Sequence, residues 1–183
     1  MSITTAEKRK YTYKDYAKLP EGAPYRLIGG ELIMVPAPTP YHQKISGRVY
    51  FGVREFVCKN DLGEVFYAPI DVYFGEEDTF QPDIIFISKE RLDIIKETRI
   101  EGAPDLVIET LSPSTAYYDM GRKYNIYERS GVNEYWVIHP EKKSVDIYAN
   151  KADGFEIVQT GREKGMVRSE LLNGYEMDLK EVF

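Results

Sequence analysis

Cysteine is almost absent from this sequence. Cys58 is the only one in 183 residues, so no internal disulfide can form, and with two histidines in all there is no Cys/His set to hold zinc. Cys58 falls on or beside the apolar stripe of a helical pattern, where a small apolar residue would serve equally, rather than beside cations that would make it a nucleophile. The chain also lacks a Gly-rich phosphate loop and a G-x-S-x-G elbow, which removes two common routes to phosphate and acyl chemistry. No apolar run approaches the roughly 18 residues of a membrane span, and the stretch MSITTAEKRKYTYKDY has basic residues with no apolar segment behind them. The expectation is a soluble, cytoplasmic protein with no membrane partner. Positive charge is short too: 24 Lys and Arg stand against 30 Asp and Glu, a net charge of −6. That excludes coating nucleic acid through bulk electrostatics, but not an enzyme acting on phosphodiesters, because carboxylates that hold divalent cations make such proteins locally acidic.

What is present is the material for one core: 43% hydrophobic and 13% aromatic residues. Residues 1–11 are expected to form a flexible tail carrying Lys8, Arg9 and Lys10, and residues 12–183 a single domain. Thr12 with Asp15 three residues on reads as a capping box opening a short helix that Pro20 stops. In YRLIGGELIMV, two apolar runs flank Gly29-Gly30, the dipeptide of a two-residue hairpin turn. After the rigid PAPTP connector, Ile45, Val49, Val53, Phe56 and Val57 fall on one stripe and predict a helix over 41–60. EVFYAPIDVYF, PDIIFI and DLVIET predict strands, the last two so continuously apolar that they suit a sheet covered on both faces. ISKERLDIIKETRIEGA reads as a helical turn and polar loop. A second long helix is predicted over 115–130, closed by Gly131, and EYWVIHP, SVDIYAN and GFEIVQT as further strands.

Three acids stand at strand positions: Asp71, Asp83 and Glu109. Glu109 sits inside APDLVIETLSPST, and a buried charge there demands a cation, either a protein Lys or Arg or a metal ion. If the strands of Asp83 and Glu109 are antiparallel neighbours, the start of one lies beside the end of the other and the two carboxylates converge, a seat for Mg²⁺ or Mn²⁺. The alternative for Asp83 alone is a turn or capping role after Pro82. Two such carboxylates without partners would repel each other, so that neutralising them would raise stability. Asp105, four residues before Glu109, is about 13 Å away along a strand, too far to share an ion, and reads as a loop-to-strand cap.

YRLIGGELIMVPAPTPYHQKI, QPDIIFI, APDLVIETLSPST and DMGRKYNIYERSGVNEYWVI, in this order, resemble the Uma2 or DUF820 family of restriction-endonuclease-like proteins with a PD-(D/E)XK nuclease core. The resemblance runs from about Thr12 to at least Tyr148. It implies an α/β (α+β) fold with a mixed central β-sheet flanked by helices. It further implies that Asp83 and Glu109 are the metal-binding acids. The acid-x-Lys pattern would put Lys at 111, where this chain has Leu111, and Lys123 matches the position to which the family moves it. An ammonium can reach one point from different backbone positions. Apart from the resemblance, Lys123 reads equally as an exposed helix ion pair with Asp119. Glu31 and His42 also match family motif positions: Glu31 as a further carboxylate for the metal or a solvated hairpin-end residue, His42 as a group orienting water or phosphate or as a helix cap.

The function expected is a Mg²⁺- or Mn²⁺-dependent endonuclease that hydrolyses DNA phosphodiesters with a metal-activated water. The alternatives are a non-cleaving binding module on the same fold, or a nuclease acting on RNA. Lys44, Arg48, Arg54 and Arg122 are the candidates for contacting nucleic acid, against the ordinary reading of solvated helix faces. Because a duplex has two strands to cut, a homodimer is expected, with the Tyr-rich EYWVI strand as a candidate edge interface.

Overall fold

A computed structural model describes residues 10–112 and 119–183. Its first element follows from local chemistry. Thr12 caps helix α1 (Tyr13–Tyr16), with its N–H donating to Asp15 Oδ2 at 3.1 Å. Strands β1 (Tyr25–Ile28) and β2 (Glu31–Met34) pair antiparallel around Gly29 and Gly30, whose φ values of 60° and 76° are those a two-residue turn requires. Of the expected tail, residues 1–9 lie outside the described residues; Tyr11 donates its N–H to the Gly30 carbonyl at 2.8 Å.

Helix α2 (Pro40–Lys59) begins at Thr39, whose side chain accepts from the His42 N–H, with Pro40 in the first turn where no N–H is missed. Its stripe of Ile45, Val49, Val53 and Val57 is fully buried. That stripe lies on one face of a six-stranded sheet. Strands β3 (Gly63–Tyr67), β6 (Ile84–Ser88), β8 (Leu106–Thr110), β9 (Glu134–His139), β10 (Ser144–Lys151) and β11 (Gly154–Arg162) build it, in the order β11-β10-β9-β8-β6-β3. All neighbours are antiparallel except β8 and β9. Ile84, Phe86, Leu106 and Ile108 pack toward α2, whereas Ile85, Ile87 and Val107 pack into a second core on the opposite face. The continuous apolar runs are therefore those of strands covered on both sides.

The second core is closed by a five-stranded sheet. It is formed by β1, β2, β4 (Val72–Gly75), β5 (Asp78–Phe80) and β7 (Ile100–Glu101), in the order β2-β1-β5-β4-β7. EVFYAPIDVYF is therefore not one strand. The chain leaves the six-stranded sheet after Tyr67 and enters the other at Val72, and Pro69, which has no N–H for a ladder, lies in the gap. A 3₁₀ segment (Lys89–Ile94) follows β6.

The helix expected over 115–130 is described from Asp119. It opens with a π-helical turn (Asp119–Lys123) and continues as α3 (Tyr124–Ser130), which Gly131 ends at φ 87°. Residues 115–118 lie outside the described residues. The Asp119 side chain, and with it the expected Asp119–Lys123 pair, lies outside what the structure describes.

EYWVI is not an edge. As β9 it lies between β8 and β10, with Tyr135 and Trp136 fully buried, so it offers no surface to a second copy. Its amphipathic rings are used inside: Tyr135 packs against Tyr127 and Trp136 against Tyr175. Cys58 is exposed rather than part of the apolar stripe.

The C-terminal segment, strands β12 (Met166–Arg168) and β13 (Glu176–Asp178) and helix α4 (Leu179–Val182), is fastened by a carboxylate held by neutral hydrogen-bond donors. Glu134 is buried and accepts hydrogen bonds from Trp136 Nε1 (2.6 Å), Ser169 Oγ (2.7 Å), Glu170 N (2.8 Å) and Leu171 N (3.0 Å). Removing it strands buried donors at about 1–3 kcal/mol each. Glu134→Ala is expected to cost about 3 kcal/mol or more, lowering the melting temperature by about 6–12 °C, and Glu134→Gln less because an acceptor oxygen remains. Thermal unfolding of the three proteins measures it, and a Glu134→Ala protein as stable as wild type would contradict the clamp.

Candidate active site

The pairing of β6 with β8 decides where the acids fall. Ile84 is opposite Ile108 and Ile85 opposite Val107, so one step further Asp83 comes opposite Glu109. Asp83 lies just before β6 and Glu109 one residue from the end of β8. Both stand at the same end of the six-stranded sheet, where α2 also begins.

Each carboxylate has its own partners. Asp83 Oδ2 accepts from the Thr110 N–H at 2.7 Å and lies 3.2 Å from His42 Nε2; its Oδ1 has no hydrogen-bond partner among the described residues. His42 also places Nδ1 3.5 Å from Ser46 Oγ, and Ser46 donates to Thr110 Oγ1 at 2.9 Å. These contacts tie the first turns of α2 to the last residue of β8. Burial works against a charge on His42, but the hydrogen bond and charge of Asp83, with Thr110 and Glu109 adding to them, outweigh it and raise the imidazole above its ordinary 6.5.

Glu109 is 3% exposed and answers the question its position poses. Lys123, 8% exposed, donates to Oε1 at 2.8 Å, and Tyr127 donates its hydroxyl to the same oxygen at 2.5 Å. The Lys123 ammonium also stands 5.6 Å from the Phe80 ring centre, an apolar wall that narrows where its charge can go. The π-helical turn ends at Lys123, and Tyr127 follows one α-helical turn later, so both reach the same carboxylate. The buried cation is thus a protein lysine. The two acids do not meet as unpartnered like charges, and the expectation that neutralising them would stabilise the protein gives way to the opposite sign.

The remaining candidates divide. Glu31 accepts from Arg122 Nη1 at 2.8 Å, which joins the hairpin to the π-helical turn and spends Arg122 on a protein carboxylate. Arg48 donates to the Val182 carbonyl at 3.1 Å. At about 100° per residue around α2, Ser46 and Tyr50 lie within about 80° of His42, Arg54 and Arg48 about 120° away on opposite sides, and Lys44 about 160° away. Lys44 is therefore turned away from the face that carries His42, Arg48 lies to one side of it and is bonded to the C-terminal backbone, and Arg54 follows one turn after Tyr50. Asp71 accepts from the Tyr16 hydroxyl and Gln81, and lies in the turn before β4. Asp105 caps the opposite end of β8, accepting from Ser88 N, Arg91 Nη1 and Asn133 Nδ2. Leu111 follows the end of β8 and packs against the second core.

Tyr127, Thr110 and Ser46 were not singled out as site residues by sequence reasoning. A signal existed for each: Tyr127 is one helical turn from Lys123, Ser46 one turn from His42, and Thr110 adjoins Glu109.

Among the described residues, no group of three or more His, Cys, Asp or Glu side chains is arranged to hold a metal ion. Two carboxylates at one sheet end, one with a spare oxygen, suit a cation that takes one or two carboxylates and completes its shell with water and substrate phosphate oxygens, which is how Mg²⁺ is commonly held. No described helix is long and apolar enough to cross a membrane.

Comparison with known proteins follows the same line. A crystal structure described as a "putative nuclease belonging to DUF820" from Anabaena variabilis superposes with a TM-score of 0.78 over 94% of this chain and 97% of that one, at 22% identity, which establishes a shared fold. An uncharacterized Synechocystis protein, slr1290, is 35% identical over 60 residues, 32% of this chain; the match spans about a third of that relative's length, 32%. Residues 13–180 match the Uma2 family, described as "Putative restriction endonuclease", and the chain belongs to that family.

Proposed function

We propose that the protein is a divalent-metal-dependent endonuclease that hydrolyses DNA phosphodiester bonds, with Asp83 and Glu109 as the metal-holding acids and Lys123 as the catalytic cation. The observation that carries this reading is the buried Lys123–Glu109 contact beside Asp83 at one end of β6 and β8. When bound there, Mg²⁺ or Mn²⁺ would neutralise charge on the scissile phosphate and make water a stronger nucleophile at neutral pH.

The chain's own groups have separable tasks. Asp83 is oriented through Oδ2 by Thr110 and His42, which leaves Oδ1 for a ligand. Lys123 and Tyr127 both draw on Glu109 Oε1. An ammonium in that position, walled by Phe80, is set to orient the attacking water or to offset the extra negative charge of the pentacovalent phosphate. Removing one such preorganised donor ordinarily costs about 100- to 1000-fold in rate.

The decisive experiment measures both binding and cleavage. Wild type is expected to bind Mn²⁺ and to nick supercoiled DNA only with Mg²⁺ or Mn²⁺. Asp83→Asn with Glu109→Gln is expected to lose both, and Lys123→Ala to bind the ion yet cut at least about 100-fold more slowly. Equal Mn²⁺ binding by the double variant would remove the site. Wild type that binds Mn²⁺ but cuts neither DNA nor RNA would turn the reading to a non-cleaving module.

Stability reports the same contacts without chemistry. Glu109→Gln leaves the Lys123 charge buried with a weaker partner, and a loss of about 3 kcal/mol is expected in urea unfolding of the metal-free protein. His42 gives a pH signature of known sign. Because its folded pKa is raised above 6.5, its stabilisation is complete below about pH 6.5 and is lost as the pH rises through the folded value. The metal-free protein should therefore weaken over that window, and His42→Gln should flatten the change. An unaltered slope in His42→Gln would contradict the His42–Asp83 pair.

A further inference from the structure

The site has carboxylates and a committed lysine, but among the described residues the four expected cations do not line up as a strip beside it. Arg122 is paired with Glu31, Arg48 is bonded to the C-terminal backbone, Lys44 lies about 160° from His42 around α2, and Arg54 alone of the four follows one turn after Tyr50. With a net charge of −6, phosphate attraction alone is a poor source of affinity for a polyanion. A different kind of surface adjoins the site. Tyr67 ends β3 opposite Ile84, and the next residue, Ala68, donates its N–H to the Asp83 carbonyl at 2.9 Å. Tyr67 is 61% exposed, and its ring centre lies 4.7 Å from that of Tyr50.

Tyr50 belongs to the face of α2 that carries the site. His42, Ser46 and Tyr50 succeed one another at four-residue spacing, so one face of α2 carries both the contacts among Asp83, His42, Ser46 and Thr110 and, one turn on, the Tyr50–Tyr67 pair. Tyr41, immediately before His42, is 42% exposed. A tyrosine ring left open to solvent and backed by a second ring is a flat, rigid, sequence-indifferent surface for a nucleobase. Base-on-aromatic stacking requires the base to be out of its own stack.

Resting on the nuclease reading above, we infer that Tyr67, supported by Tyr50, is a stacking platform for an unstacked base next to the scissile phosphate, so that the preferred substrate is single-stranded or locally unpaired nucleic acid rather than continuous duplex. Stacking adds affinity that scattered cations do not supply. It predicts a shallow salt dependence for the share of binding that Tyr67 contributes, because no phosphate contact is involved.

The test is equilibrium binding by the full chain in a chelator, so that no cutting intervenes, at about 0.15 M salt. The probes are a labelled oligothymidylate of about sixteen nucleotides, its duplex with oligoadenylate, an abasic strand of the same length and an oligouridylate. The expected result is that oligothymidylate binds about tenfold or more tighter than duplex or abasic strand. Tyr67→Ala should weaken the single strand about tenfold with the same salt slope as wild type, and Tyr67→Phe should bind as wild type. Oligouridylate bound with the same dependence on Tyr67 supports the platform equally, since the base face is shared. Duplex or abasic strand bound as tightly as oligothymidylate, or Tyr67→Ala binding as wild type, overturns it. Circular dichroism checks that the variant is folded. Wild type that fails to cut with Mn²⁺ while Tyr67-dependent binding persists removes the nuclease reading and leaves the platform; cutting by wild type with binding indifferent to Tyr67 does the reverse.

Discussion

A carboxylate buried at the end of a central strand is the constraint around which the rest is arranged. Glu109 could not remain ionised at 3% exposure without compensation, and two donors on one short helical segment, Lys123 and Tyr127, supply it. The segment can do so because Lys123 and Tyr127 stand one α-helical turn apart on one face, and Gly131 then turns the chain into β9 alongside β8. Phe80, from the other sheet, closes the far side of the ammonium. Strand, helix and second sheet therefore meet at one ion pair. A buried pair of this kind is weak evidence for stability, since an apolar replacement could serve as well; its cost is easier to understand if the charges are needed for chemistry.

The two-sheet construction explains how the site is both buried and reachable. The six-stranded sheet is sealed by α2 on one face and by the hairpin sheet and α3 on the other, so the centres of β6, β8 and β9 are apolar. Only at the strand ends can polar groups appear, and there the antiparallel β6–β8 pair brings Asp83 to Glu109. The N-terminal turns of α2 bring His42 and Ser46. Thr110 links the two halves through its backbone to Asp83 and its hydroxyl to Ser46.

Much of this could be read from local chemistry. The Gly-Gly hairpin, the Thr12 capping box, the stripe of α2 and the Gly131 stop depend on neighbours a few residues away and appear where periodicity puts them. Where each acid stands on its apolar run puts Asp83 opposite Glu109 only once the strands are antiparallel neighbours, and that pairing is seen in the structure. What could not be read depends on distant partners. EYWVI resembles an exposed amphipathic edge because a central strand between two aromatic cores uses the same residues. Whether Arg48 and Arg122 are available cations is decided by a C-terminal carbonyl and by Glu31, both far off in sequence. The break at Pro69 changes sheets, which no run of apolar residues announces.

The central claim is that Asp83 and Glu109 together hold a divalent cation beside Lys123. Anomalous diffraction from crystals grown with Mn²⁺ tests it most directly. The account predicts a manganese peak at about 2.0–2.6 Å from oxygens of both carboxylates. Crystals in which manganese lies elsewhere, or in which Asp83 and Glu109 keep only their His42 and Lys123 partners at saturating Mn²⁺, would contradict it.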